Sequence, residues 1–191
     1  MADGNTANYN WVKPEVGASA ATWGAKLNAD LDDIDADLKA VEEGADLPGF
    51  IANRNGTPQG SLNAGTATGN KIRFDNVVRN DGSHYDGVTN FRFTPPEGVY
   101  RVTLSVATST GTGNESHAAQ IWKNGALEAE SNYFASGMFA GPGNPRLEVT
   151  KDIEFNGADY VEAFVYLPTG TTAISGINNI TFFSAYRVRG A

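Results

Sequence analysis

The sequence predicts a mainly β fold, a C-terminal jelly-roll β-sandwich preceded by a short α-helix. Three observations carry this. Tyr100, Val102, Leu104 and Val106 alternate with Arg101, Thr103 and Ser105, the period-two pattern of a half-buried strand. Leu27, Leu31, Ile34, Leu38 and Val41 step by 4, 3, 4 and 3, a heptad spacing that belongs to a helix. The 22 glycines, 10 phenylalanines and 7 tyrosines among 191 residues suit a loop-rich β protein.

Residues 1–21 are small and polar and read as an arm, in which the aromatics Tyr9 and Trp11 stand out as anchors for a partner. Residues 22–44 form the helix: Thr22 is a plausible N-cap, Gly44 ends it, and nothing between Ala25 and Glu43 breaks the pattern. Residues 45–191 form the β head. Phe50-Ile51-Ala52 opens it, a Gly-rich stretch runs from Asn53 to Asn70, and Lys71-Ile72-Arg73-Phe74 resumes the β pattern. Strands follow around 99–108, 117–123, 126–134, 145–151, 159–167 and 180–188, separated by Gly, Pro and Asn clusters. Pro95, Pro96 and Gly98 punctuate the first of these. Asn124-Gly125 is the strongest hairpin signal, a type I′ turn.

With these positions fixed, two resemblances emerge. Phe74, Asn80, Tyr85, Gly98 and Tyr100 fall on the spacing of the complement 1q globular head, a relative of the tumour-necrosis-factor jelly roll. The Lys123-Asn124-Gly125 turn, Asp159-Tyr160-Val161 with Phe164 and Tyr166, and Thr181-Phe182-Phe183-Ser184-Ala185-Tyr186 resemble later strands of that family, so the likeness covers residues 47–188. In two places the chain departs from it. Phe93 sits one position late, and Val102 and Leu104 stand where the family usually has aromatics. The resemblance implies a homotrimer, because the family's heads pack three-fold around aromatic strands.

The second resemblance covers about residues 9–43. Trp11-Val12-Lys13-Pro14, then Thr22-Trp23-Gly24-Ala25-Lys26-Leu27-Asn28 and Ile34-Asp35, is similar to a segment near the start of many bacteriophage tail-fibre and receptor-binding proteins. It implies that Tyr9, Trp11 and Trp23 attach the chain to another virion structural protein. The helix stripe then meets a difficulty. In a parallel trimer Asp30 would face Asp35, and Asp37 would face Glu42, at every seam. An isolated peptide of residues 1–46 is therefore expected to be poorly helical at neutral pH and to gain helix on acidification.

The chemistry of catalysis is sparse. Gly-x-Ser-x-Gly, Walker-type and His-Glu-x-x-His patterns are absent, and without cysteine there is neither a disulfide framework nor a thiolate metal site. His84 reads as a turn residue, and His117, starting a strand after a Gly/Thr/Asn loop, as a surface residue. Asp30, Asp32, Asp33, Asp35 and Asp37 read as a solvated helix face. A calcium loop starting at Asp30 would need glycine and glutamate where Asp35 and Val41 stand. The net charge of -8 disfavours nucleic acid and anionic lipid, and no apolar run is long enough to span a bilayer. Met1 to Tyr9 has no signal-peptide core. The chain is thus expected to be assembled in the host cytoplasm as part of a virion and released by lysis.

What remains is loop chemistry. Three connections, Thr108–Ser116, Ser131–Pro145 and Pro168–Asn179, are rich in Gly, Asn, Ser and Thr and are expected to cluster at one end of the jelly roll. Asn114, Asn132, Tyr133, Phe134, Phe139 and Asn178 are the candidate receptor-binding residues there, with rings to stack on sugar faces and amides to bond hydroxyls. The expected function is that of a non-enzymatic tail fibre or spike, cofactor-free and metal-free, whose trimeric head binds a bacterial surface polysaccharide. A polysaccharide depolymerase and a purely structural trimerisation knob are the alternatives.

Overall fold

The alternation at 99–108 folds as expected. Gly98–Ala107 is a ten-residue strand whose Tyr100, Val102, Leu104 and Val106 are fully buried. It is one of eleven strands in a computed structural model that describes residues 30–36, 38–39, 48–63, 65, 70–108, 115–135, 146–167 and 173–189. In chain order these are β1 (Gly49–Asn53), β2 (Asn70–Lys71), β3 (Asn76–Asp81), β4 (Tyr85–Asp86), β5 (Arg92–Phe93) and β6 (Gly98–Ala107). β7 (Glu115–Lys123), β8 (Ala126–Ala135), β9 (Arg146–Phe155), β10 (Val161–Tyr166) and β11 (Phe182–Arg189) complete the set. The chain divides into two units, Met1–Leu47 and Pro48–Ala191.

In the first unit, residues 30–36 and 38–39 are helical (α1). Ile34 and Leu38 of the apolar stripe are 47% and 41% exposed, and Leu31 is half-buried. Asp30, Asp32 and Asp33 are exposed, as a solvated face requires. Asp35 corrects that expectation, being only 1% exposed. Leu27, Asp37 and Val41 lie outside the described residues, as do Tyr9, Trp11 and Trp23.

The second unit is a sandwich of two antiparallel sheets. Five strands run in the order β3-β1-β11-β6-β9, and six in the order β4-β5-β10-β7-β8 with β2 also on β10. β5 pairs with Val161 and Glu162, and β2 with Phe164 and Val165, so two short strands share one edge of β10. β3 lies at the end of its sheet and carries a register shift opposite Ile51 and Ala52. Such irregularity blunts an edge that could otherwise recruit another strand.

Between the sheets lies a core rich in aromatic rings. Phe50 stacks on Tyr85 with ring centroids 4.3 Å apart, and stands edge-on to Phe183 at 5.0 Å. Tyr100 meets Phe93 and Phe155 edge-to-face at 5.6 and 5.4 Å. These offset and T-shaped pairs suit the ring quadrupole and add to the burial of apolar area. The six-stranded sheet contributes smaller residues, Ala119, Ile121, Val161, Ala163 and Val165, all fully buried.

At the Asn124-Gly125 hairpin both residues have positive φ, 51° and 79°, as a type I′ turn demands. Asn124 also accepts from the Tyr160 amide at 3.0 Å and donates to Asp159 Oδ1 at 2.7 Å, tying the hairpin to the start of β10. Gly176 is required by close approach: a Cβ there would lie 2.3 Å from the Thr57 carbonyl carbon.

Candidate receptor-binding surface

The residues of the complement-1q-like spacing form one connected structure. The Phe74 ring is buried, and its carbonyl accepts from Tyr85 Oη at 3.0 Å. Asn80 spans the turn between β3 and β4. Its Nδ2 donates to the Tyr85 carbonyl at 2.9 Å and its Oδ1 accepts from the Tyr85 amide at 2.9 Å. Asn80 thereby imitates a strand neighbour, which explains the residue type at that spacing. Burial pushes the Tyr85 phenol well above its ordinary range, reinforced by Asp86 and Asp75, so it stays a neutral donor. Gly98, at φ 148°, starts β6 in a backbone region that favours glycine, and Tyr100 follows into the core.

His84 lies in the turn at Gly82 and Ser83, which have φ 68° and 58°, and its carbonyl accepts from the Thr94 amide at 2.8 Å. This is the structural role expected of it. His117 corrects the surface expectation. It is 2% exposed, and its Nδ1 lies 3.0 Å from Thr108 Oγ1.

The loop candidates are redistributed. Asn132, Tyr133 and Phe134 belong to strand β8, not to a loop, with register partners Ala118, His117 and Ser116. Successive strand residues alternate faces. Tyr133 thus stands in register with His117, which is buried. Asn178 is placed in a loop, but its Oδ1 accepts from the Gly56 amide at 2.9 Å, clasping 175–180 to the turn after β1. Within the expected loop Pro168–Asn179, Ile174 is fully buried and bridges both Gln59 and Thr108. Asn114 and Phe139 lie outside the described residues.

Two outer sheet faces remain. On the five-stranded sheet, Ile51 and Tyr186 are 41% and 49% exposed on adjoining strands β1 and β11. Beside them stand the bidentate Arg101–Asp152 pair, at 2.8 and 2.9 Å, and the Thr103–Thr150 hydroxyl contact at 3.0 Å.

The six-stranded sheet presents a different surface, one that the sequence reading did not single out. Val161, Ala163 and Val165 of β10 point into the core, which leaves Glu162, Phe164 and Tyr166 outside and half-buried. On β7, Ala119 and Ile121 point inward while Gln120 and Trp122 point outward. The Trp122 and Phe164 ring centroids lie 5.0 Å apart with planes inclined by 38°. Trp122 Nε1 donates to Gln120 Oε1 at 3.1 Å, and Gln120 Nε2 donates to Glu130 Oε2 of β8 at 2.8 Å. Gln120 is only 4% exposed although it lies on an outer face. Both ends of its amide are bonded, as burial requires. Lys71 of β2 pairs with Glu162 at the margin. The signal was present in sequence as Phe164 and Tyr166 two residues apart, but the meeting of Phe164 with Trp122 needs the β10–β7 register.

No family model matches the chain, and no curated protein sequence does either. Solved structures do match. The globular domain of zebrafish complement 1qA protein superposes with a TM-score of 0.54 at 12% identity, covering 75% of this chain and 99% of that one. Eiger TNF from S. frugiperda gives 0.56 at 7% identity, covering 76% and 94%. Murine APRIL at pH 5.0 gives 0.55 at 7% identity, covering 74% and 99%. At such low identity the likeness concerns architecture, and on that level it is plain: the chain carries a jelly-roll sandwich of the complement 1q and tumour-necrosis-factor type.

Proposed function

We propose that the chain is a non-enzymatic virion appendage, a bacteriophage tail fibre or the spike of a phage-derived particle. Its head acts as a homotrimer that binds a polysaccharide on the bacterial surface, and its N-terminal segment attaches it to another virion protein. The observation that carries the head's part is the outer face of the five-stranded sheet. Ile51 and Tyr186 stand exposed there on neighbouring strands, and Val188 of β11 is also 42% exposed. Covering such residues with copies of the same chain removes apolar surface from water at about 25 cal/mol per Å². The three-fold arrangement comes from the resemblance to complement-1q-like heads. The particle attachment comes from the likeness of residues 9–43 to tail-fibre starts and gives Tyr9, Trp11 and Trp23 their anchoring role.

The test has two parts. Light scattering on the full chain at micromolar concentration should give three times the chain mass of 20.2 kDa. Purified protein added to host cells should then compete with particles for adsorption, and should release no new reducing ends from capsule. A monomer that neither binds cells nor blocks adsorption overturns the reading. Release of reducing ends would make the protein a depolymerase.

A further inference from the structure

We propose that the outer face of the six-stranded sheet is a binding platform for an uncharged pyranose polysaccharide, with Trp122 and Phe164 as stacking rings and Glu130 as the hydroxyl acceptor. This inference builds on the receptor reading. It names the sugar class and moves the contact from the connecting loops to a sheet face.

The first ground is cost. Two large rings are held half-exposed and in mutual contact on a face that the core does not need. Aromatic rings on a sheet surface present flat apolar areas with little side-chain entropy to lose, which suits the apolar face of a pyranose.

The second ground is preorganisation. Trp122, Gln120 and Glu130 are linked in series, indole to amide to carboxylate. The buried amide fixes the carboxylate beside the rings without occupying both of its oxygens, since Gln120 bonds only Oε2 of an exposed Glu130. A carboxylate held in this way accepts sugar hydroxyl protons with charge-assisted strength.

The third ground is charge. Glu130 and the net charge of -8 set a negative field that disfavours uronate, sialate or phosphate-bearing polymers. At the margin, Lys71 is already paired with Glu162, and Arg92, opposite Glu162 in the β5–β10 register, lies over the Tyr160 ring 4.7 Å from its centroid. A protein partner fits less well, because the centre of a protein interface is depleted of charge, whereas here Glu130 and the Lys71–Glu162 pair flank the rings.

The experiment is affinity electrophoresis of the full-length protein through gels containing dextran, laminarin, galactomannan or, as the anionic control, polygalacturonate. At least one neutral polymer should retard the wild type, and polygalacturonate should not. Phe164→Ala and Glu130→Gln should each weaken that retardation about tenfold or more. Glu130 is exposed, so its variant should keep the wild-type melting temperature and serve as the control if Phe164→Ala unfolds. Absence of retardation by all three neutral polymers overturns the inference, as does stronger retardation by polygalacturonate. Retardation unchanged in Glu130→Gln and in a folded Phe164→Ala also overturns it, and returns the contact to the loops. Cell adsorption without glycan binding would leave the appendage reading standing and remove this one. Glycan binding without cell adsorption would do the reverse.

Discussion

Asp86 offers a measurement in which structure, charge and pH must agree. It ends β4 and holds the loop that leads to β5. Its Oδ1 accepts from the amides of Val88 and Thr89 at 2.9 and 2.8 Å, and its Oδ2 accepts from the Asn90 amide and Nδ2, both at 2.9 Å. Bonded first by Thr89, then by Val88 and Asn90, the carboxyl falls from 3.8 to about 2. A carboxylate stabilised in the folded state contributes at every pH above its unfolded value of about 3.9, and that contribution disappears as pH falls towards 2. Fully transmitted, the shift is worth about 2.4 kcal/mol; Asp86 is partly exposed, and screening reduces this to about 1 kcal/mol. Asp86→Asn turns an amide NH2 towards the Asn90 donors. It should lower stability at pH 7 by about 1 kcal/mol, a melting shift of roughly 2–4 °C for a chain of this size. Denaturation of both proteins from pH 7 to pH 2 is the assay. The gap should be constant down to about pH 4 and then close, because a protonated Asp86 meets the same donors as the amide does. A gap that persists at pH 2, or no gap at pH 7, would refute the reasoning.

Three further outcomes follow from the packing. Phe50→Ala removes the ring shared by Tyr85, Phe93 and Phe183 and should cost about 3–5 kcal/mol in chemical denaturation. Asn80→Ala leaves the Tyr85 amide and carbonyl without their side-chain partner and should cost about 1–3 kcal/mol by the same measurement. Ile51→Asp and Tyr186→Asp place charge on the exposed face of β1 and β11. Light scattering should show the assembly falling to monomer, with circular dichroism at low temperature unchanged.

The sequence made some of this architecture legible, for reasons that can be named. The Phe74, Asn80 and Tyr85 spacing was readable because each residue type answers a fixed local demand. Asn80 closes the turn with its own amide, and the Tyr85 hydroxyl reaches back to the Phe74 carbonyl. β6 and β10 were readable because buried residues alternate with less buried ones, along all of β10 and along β6 as far as Thr103, beyond which Ser105 and Ala107 are buried as well. β3 escaped because Val77, Val78 and Arg79 are all exposed beside its register shift, so no period of two appears. β4 and β5 have two residues each, too few for any period. β8 was read over 126–134, close to its observed length, yet a loop was also drawn from Ser131 because Ser131 and Asn132 look like loop residues; their pairing with Ala119 and Ala118 is set by the long partner strand. His117 and Asp35 were misplaced for one common reason. Local pattern tells which face a residue takes, whereas burial is decided by what the rest of the fold lays over it.

On the proposed reading, the outer faces of the two sheets would let one small sandwich both assemble and bind. Of the strand aromatics Phe50, Tyr100, Phe164, Tyr166, Phe183 and Tyr186, three, Phe50, Tyr100 and Phe183, are fully buried. The other three divide between the faces. Tyr186 is on the five-stranded sheet near Ile51, whereas Phe164 and Tyr166 are on the six-stranded sheet, Phe164 against Trp122 and Tyr166 opposite Ala118. Around Tyr186 the polar groups satisfy one another, Arg101 with Asp152 and Thr103 with Thr150, leaving the apolar side chains as the attractive part. A face of that kind can be covered by another copy without stranding a charge. Around Trp122 the polar groups form a chain that ends on the exposed carboxylate of Glu130. Covering that face with protein would bury the carboxylate, while a sugar hydroxyl would bond to it. Assembly through the five-stranded face would therefore leave the six-stranded face outward. If copies instead packed through the six-stranded face, Glu130→Gln would strengthen the assembly by removing a buried charge, and concentration-dependent light scattering of that variant would reveal it.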